Sequence, residues 1–254
     1  MVLFRQPDAA RTAAFLAVQA GRPYSYAETG ASRTGPPPGC AVDHHRVLLG
    51  YGRATFRAAR AALDGWQMFR LGWVRLRPQA SADSQSSGQL SAFPAVERPV
   101  AEGQVVAVIA WLAGVWFLNA CRVVYVWQEA GAIDRCGFAY GTLDAHMARG
   151  EERFSVEWHH ADDSVWYDLL AFSRPRHLLF RLGYPLGRWM QHRFARDCAA
   201  AMTRAVAGAP NGRQAGVGEV RIVRRHTPRT ELARWLGYWA GIVGLLGGTF
   251  CWLV

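Results

Sequence analysis

The densest chemistry in the chain lies in the thirteen residues from Tyr140 to Glu152, which hold Tyr140, Thr142, His146, Arg149, Glu151 and Glu152. An imidazole beside two carboxyls is the equipment of proton transfer. On that reading His146 is a general acid/base, oriented by Glu151 or Glu152, and Arg149 holds an anionic group. A second reading is a glycine-bounded hairpin whose charges pair with one another, and the residues alone leave both open. Tyr140 and Thr142 join Arg149 as ligand-binding candidates. Arg174, next to Ser173 and Pro175, is another, because a guanidinium near helix N-terminal amides suits an anion. Trp111 and Trp166, with Trp116, Phe138 and Tyr167, are candidate walls of an apolar cavity, although aromatic residues in strands also form plain core.

Two histidine clusters invite a metal reading. His159-His160-Ala161-Asp162-Asp163 falls where a tight strand connection is expected, and neighbouring side chains there point opposite ways. Asp43-His44-His45 stands just before the first strongly periodic helix. Both read better as solvated turns, so no metal site is assigned. The five cysteines are widely spaced with no Cys-x-x-Cys pair, which argues against a structural zinc site or a disulfide framework and fits a reducing compartment. There is no phosphate-cradling glycine loop, no Gly-x-Ser-x-Gly elbow and no dinucleotide fingerprint, so no cofactor is expected.

These residues need a scaffold. The segment from Arg53 to Gln67 has helical spacing, with Phe56, Ala59, Leu63 and Trp66 on one face. A short helix is expected within residues 1–22, and a loop at Gly35-Pro36-Pro37-Pro38-Gly39. Strands are expected from Phe69 to Leu76 and at about 104–112, 116–128, 136–140, 152–158 and 164–172, and a loop over Ser81–Ser91. The apolar run from Val105 to Ala120 reads as two buried strands around Ala113-Gly114 rather than as a membrane span, because β-branched residues flank a glycine turn. Ser173-Arg174-Pro175 is expected to open a long amphipathic helix reaching about Ala207, kinked near Gly183-Tyr184-Pro185. Leu178, Leu182, Leu186, Met190, Phe194 and Cys198 line one face of it, and Arg181, Arg188, Arg193, Arg196 and Arg204 are assigned mostly to the other sides. The fold class is therefore α+β, an antiparallel sheet packed on a long C-terminal amphipathic helix with room for an apolar cavity between them.

Three ordered segments carry a resemblance. They are Leu49-Gly50-Tyr51-Gly52 with Ala54-Thr55-Phe56, then Gly137-Phe138-Ala139-Tyr140-Gly141-Thr142-Leu143, then Ala171-Phe172-Ser173-Arg174-Pro175. With Arg149-Gly150-Glu151-Glu152 between the last two, the chain resembles the domain-of-unknown-function family numbered one-nine-nine-zero over roughly residues 24–207. Asp144-Ala145 stands where that pattern has Pro-Gly. The family brings no established activity. Its strand order and closing helix imply a helix-grip-like fold, similar to lipid-transfer and polyketide-cyclase-like proteins.

Residues 1–23 precede this domain, and 208–234 read as a Gly/Arg-rich linker. The final segment, 235–254, carries no charge, and twenty helical residues span about 30 Å, the thickness of a bilayer core. Aromatic residues flank it, and five arginines precede it between 221 and 234, so the expectation is a single-pass C-terminal transmembrane anchor with the domain on the cytosolic side. Gly237, Gly241, Gly244 and Gly248 have spacing that permits helix pairing and self-association. Net charge is +10 and lysine is absent, so every fixed side-chain cation is arginine. That balance suits anionic lipid headgroups, and no nucleic-acid-binding signature accompanies it. The expected partners are thus membrane lipids and an apolar small molecule, with no nucleic acid. Three functions follow: binding or transfer of an apolar or amphipathic ligand in a sheet–helix cavity, acid/base catalysis by the Tyr140–Glu152 segment, or an anionic-lipid interaction module.

Overall fold

The computed structural model describes residues 1–79, 99–175 and 184–207, together with a two-residue strand at 213–214. In chain order the elements are β1 (Val2–Leu3), α1 (Ala9–Ala20), α2 (Ala31–Thr34), β2 (Ala41–Tyr51), α3 (Gly52–Asp64), a 3₁₀ turn (Gln67–Phe69), β3 (Val74–Pro78), β4 (Val105–Leu112), β5 (Val115–Glu129), β6 (Ile133–Thr142), β7 (Ala148–His159), β8 (Ser164–Pro175), α4 (Tyr184–Val206) and β9 (Arg213–Gln214). The strands form one antiparallel sheet in the order β3-β4-β5-β6-β7-β8-β2-β9, with β1 beside the start of β5. The six consecutive strands β3 to β8 thus form a meander, and the early strand β2 closes onto its last member, β8.

The two faces of the sheet have different partners. On one, α3, the 3₁₀ turn and α4 cover a core that includes Leu63, Phe69, Phe138, Phe154, Tyr167 and Met202. On the other, α1 packs Leu16 over Leu3, Val105, Ile109, Leu118 and Leu143. Strand β4 is therefore covered on both sides, which explains its unbroken apolar sequence. Its hairpin to β5 turns through Ala113 at φ 47° and Gly114 at φ 86°, the left-handed pair that two-residue hairpin turns require. The expected pair of strands in Val105–Ala120 is what the chain forms. Along α4, Met190, Phe194, Cys198 and Met202 recur every four residues and face the sheet.

Several expectations are corrected. Ser173, Arg174 and Pro175 do not open the helix. They end β8, paired with Gly150, Arg149 and Ala148. Pro175 is tolerated because the ladder with β2 stops at Ser173, so no partner awaits its missing N–H. Asp43-His44-His45 is not a turn but part of β2, whose polar residues on both faces hid its alternation. The strand expected from Phe69 begins only at Val74, because the 3₁₀ turn precedes it. Helix α3 ends at Asp64, and Trp66 adopts a left-handed conformation at φ 53°. The loop at Ser81–Ser91, the kink region at 183 and the start of the long helix lie outside the described residues. So do the linker apart from 213–214, the anchor at 235–254 and its glycines. Among the described residues, no helix is long and apolar enough to cross a membrane.

Candidate functional site

Between the sheet and the first turns of α4 lies a cavity of about 380 Å³. Its walls come from β1 to β8, α4 and the β6–β7 turn, and they are mostly apolar: Val74, Val108, Phe117, Leu169, Ala171, Met190 and Phe194 among them. A few polar groups interrupt them, chiefly Asp43, Asn119, Tyr140, Thr142, His146, Glu152 and Gln191. An apolar recess with a small set of placed polar groups is the usual form of a small-molecule site.

Strand geometry decides which members of the chemistry-rich segment reach the cavity. Successive residues of β7 face opposite sides, so Glu151 and Glu152 part company. Glu152 faces the cavity, where its Oε2 accepts the Tyr140 hydroxyl at 2.6 Å. Burial, with Asp43 adding to it and the Tyr140 hydrogen bond opposing it, lifts the Glu152 carboxyl from 4.5 to about 7. Burial and the neighbouring carboxylate push the Tyr140 phenol well above its ordinary value. Glu151 borders the cavity, but its carboxylate is committed elsewhere. It accepts from the Tyr26 hydroxyl at 2.7 Å, the Gly30 amide at 2.7 Å, the Ser32 amide at 3.0 Å and the Ser32 hydroxyl. Glu151 therefore pins the 24–34 segment to the sheet face opposite α4. Gly141 leaves the space for this, since a Cβ there would collide with the Tyr26 ring and hydroxyl.

His146 also lines the cavity. It sits in the β6–β7 turn, where its Nδ1 accepts the Ala148 amide at 3.1 Å. The turn itself is tied down by the Met1 amine, which donates to Ala145 O at 3.2 Å and Leu118 O at 2.8 Å. Thr142 serves as a clasp as well as a lining residue, accepting the Gly150 amide at 3.0 Å and sharing a 2.7 Å hydrogen bond with Ser25. The remaining candidates lie elsewhere. Arg149 and Arg174 border a second hollow of about 460 Å³, formed with Tyr24, Tyr26, Glu28 and Cys40. There Arg174 donates to Pro38 O at 2.7 Å. Trp111 is the penultimate residue of β4, 44% exposed and beside Trp116. Trp166 lies under the Arg46 guanidinium and donates to Ser164. Tyr167 and Phe138 are packed core.

The structure adds residues that the sequence did not single out. Arg188, assigned to the polar side of α4, is buried and forks onto Asp43 with two hydrogen bonds of 2.6 Å. It also donates to Gln191 at 2.8 Å. The spacing held a signal: Arg188, Gln191, His192 and the buried Ala195 follow i, i+3, i+4, i+7, a stripe adjoining the apolar one. Asp43, His45 and His192 bring possible ligand atoms within 4.8 Å of one another. The Arg188 fork already occupies both Asp43 oxygens, so the positive charge at this cluster is a guanidinium. His44 and Arg153 hold Asp168 on the opposite sheet face, at 2.5 and 3.0 Å. Burial would raise that carboxyl, and these partners bring it below its ordinary value. Cys121, Cys136 and Cys198 are free and buried.

The Glu152 carboxyl has a consequence for stability. Its folded value of about 7 exceeds the ordinary 4.5, so the fold favours the protonated form. The associated stability is complete below about pH 4.5, declines as pH rises, and is lost above about 7, a difference of about 3 kcal/mol. Glu152→Gln cannot ionise and should gain on the parent protein across that interval, as urea unfolding at stepped pH will show. Parallel stability–pH curves would contradict the assignment.

An antiparallel sheet with a long C-terminal helix on one face, enclosing an apolar recess, defines a sheet–helix α+β protein with a small-molecule-sized cavity. The chain matches the family described as Domain of unknown function (DUF1990) over residues 25–201, and it belongs to that family. A UPF0548 protein of Deinococcus radiodurans is 40% identical over 214 residues, covering 81% of this chain and 98% of the relative. One from Dictyostelium discoideum is 35% identical over 181 residues, covering 68% and 76%. Among solved structures, a hypothetical protein of Helicobacter pylori overlaps 66% of this chain and 88% of its own, at 13% identity and a TM-score of 0.39. Human STARD10 overlaps 80% and 81%, at 11% identity and a TM-score of 0.37. Overlaps this partial assign neither activity nor ligand.

Proposed function

We propose that this chain binds an apolar or amphipathic small molecule in the cavity between the sheet and α4. The observation that carries the reading is the cavity itself, about 380 Å³ of recess with apolar walls and a few inward polar groups. A recess of that size lies within the range of small-molecule sites. Exposed apolar residues beside it support entry from an apolar phase. Val2 and Leu186 line the cavity and are themselves 46% and 53% exposed. Phe4, Trp111 and Trp189, also exposed, lie within two residues of lining positions.

The test uses N-phenyl-1-naphthylamine, a neutral apolar dye whose fluorescence rises on leaving water. The full chain is expected to bind one equivalent. Ala171→Phe, which projects a ring from β8 into the recess, should weaken binding at least ~10-fold with the fold intact, since a filled cavity has no room for the dye. Undiminished binding by a folded Ala171→Phe protein would place the dye elsewhere and defeat the reading.

A further inference from the structure

We propose that the cavity selects a ligand bearing a protonated amine, whose ammonium group pairs with Glu152 while its apolar body lies against the walls. This inference rests on the ligand-binding reading above and specifies its chemistry.

Among the described residues, three acidic side chains border the cavity, Asp43, Glu151 and Glu152, and no arginine does. Asp43 is neutralised by the Arg188 fork. Glu151 gives its oxygens to Tyr26, Gly30 and Ser32. Glu152 has neither a cationic partner nor such a set of donors among the described residues: its Oε2 takes the Tyr140 hydroxyl, and its Oε1 has no hydrogen-bond partner there. Burial raises its carboxyl, and the charge of nearby Asp43 raises it further. An isolated carboxylate in an apolar recess is costly unless something pairs with it. A ligand ammonium supplies that charge and donates to Oε1. The rings of Tyr140, Phe117 and Phe194 add aromatic faces to the same recess, and such faces attract cations. A carboxylate or phosphate ligand would instead meet Glu152 with no arginine among the described lining residues to offset the repulsion.

The experiment displaces N-phenyl-1-naphthylamine from the full chain with three competitors of nearly the same shape, 2-(1-naphthyl)ethylamine, 2-(1-naphthyl)ethanol and 1-naphthaleneacetate. It is run at about pH 8, where the competitor amine is charged and Glu152 mostly ionised. The expected order is amine, then alcohol, then carboxylate, with the amine at least ~10-fold tighter than the alcohol, as a charge-assisted hydrogen bond implies. In Glu152→Gln the dye still binds, and amine and alcohol compete about equally. An alcohol that matches or outcompetes the amine in the parent protein overturns the amine assignment while leaving the cavity reading in place. So does an amine preference that survives Glu152→Gln. If the dye does not bind the parent protein at all, the cavity reading fails and the assignment fails with it. The ranking in the parent protein decides the question even if the variant does not fold.

Discussion

Arg188→Met is expected to destabilise the fold by about 3–5 kcal/mol, because it leaves the Asp43 carboxylate buried without its counter-charge. Both side chains are at most 10% exposed and meet through two hydrogen bonds of 2.6 Å. The cost comes from the abandoned charge rather than from the intrinsic worth of the pair. The double variant Asp43→Leu/Arg188→Met should therefore recover most of the loss, since it removes both charges from the interior. Urea unfolding of the two single variants and the double, analysed as a cycle, separates these terms. The pair also fixes the cavity's electrostatics. With Arg188 gone, a second uncompensated carboxylate would face the recess next to Glu152. A single variant of parental stability would mean that Asp43 is not held by Arg188 in the way described.

Glu151→Ala carries a comparable penalty, about 3 kcal/mol or more, for a different reason. Its carboxylate, 2% exposed, gathers four donors from the 24–34 segment. Removing it strands the Gly30 and Ser32 amides and the Tyr26 and Ser32 hydroxyls together. Hydrogen exchange should show the amides of residues 30 and 32 losing protection ahead of the sheet. Burial and the adjacent carboxylate push the Tyr26 phenol far above its ordinary range, so it remains a donor at any physiological pH. The milder Glu151→Gln should keep dye binding while losing stability, which separates a structural carboxylate from a ligand contact. Native stability of Glu151→Ala would refute the pinning role.

The contrast between Glu151 and Glu152 shows what was legible in the sequence. The Tyr140–Glu152 segment drew attention by density of chemistry, and density says nothing about direction. Its β7 portion obeys a two-residue period, and that period places Glu152 in the cavity and sends the Glu151 carboxylate to the other face. Strands β4 to β8 were readable because β-branched runs and turn residues mark them, as at Ala113-Gly114. Strand β2 was not, since Asp43, His44, His45 and Arg46 put polar groups on both faces. Its polar inner residues make sense only once Arg188 and His192 arrive from α4, almost 150 residues later in the chain. Pro175 misled for a local reason: a proline after serine is a good helix start, yet the ladder with β7 reaches it. The cavity was expected from the arrangement of sheet and helix, and most of its aromatic wall was not. Trp111 and Trp166 point away from it, while Trp73, Phe117 and Phe194 border it.

The most direct test of ligand binding between sheet and helix is to see where a bound probe lies. In methyl-labelled full-length protein saturated with N-phenyl-1-naphthylamine, isotope-filtered nuclear Overhauser effects should connect the dye's aromatic protons to the methyl groups of Val74, Leu169, Ala171 and Met190. Those groups come from β3, β8 and α4, and all of them line the cavity. Effects confined to exposed residues such as Val18 and Val126, with none to the lining methyl groups, would contradict the account.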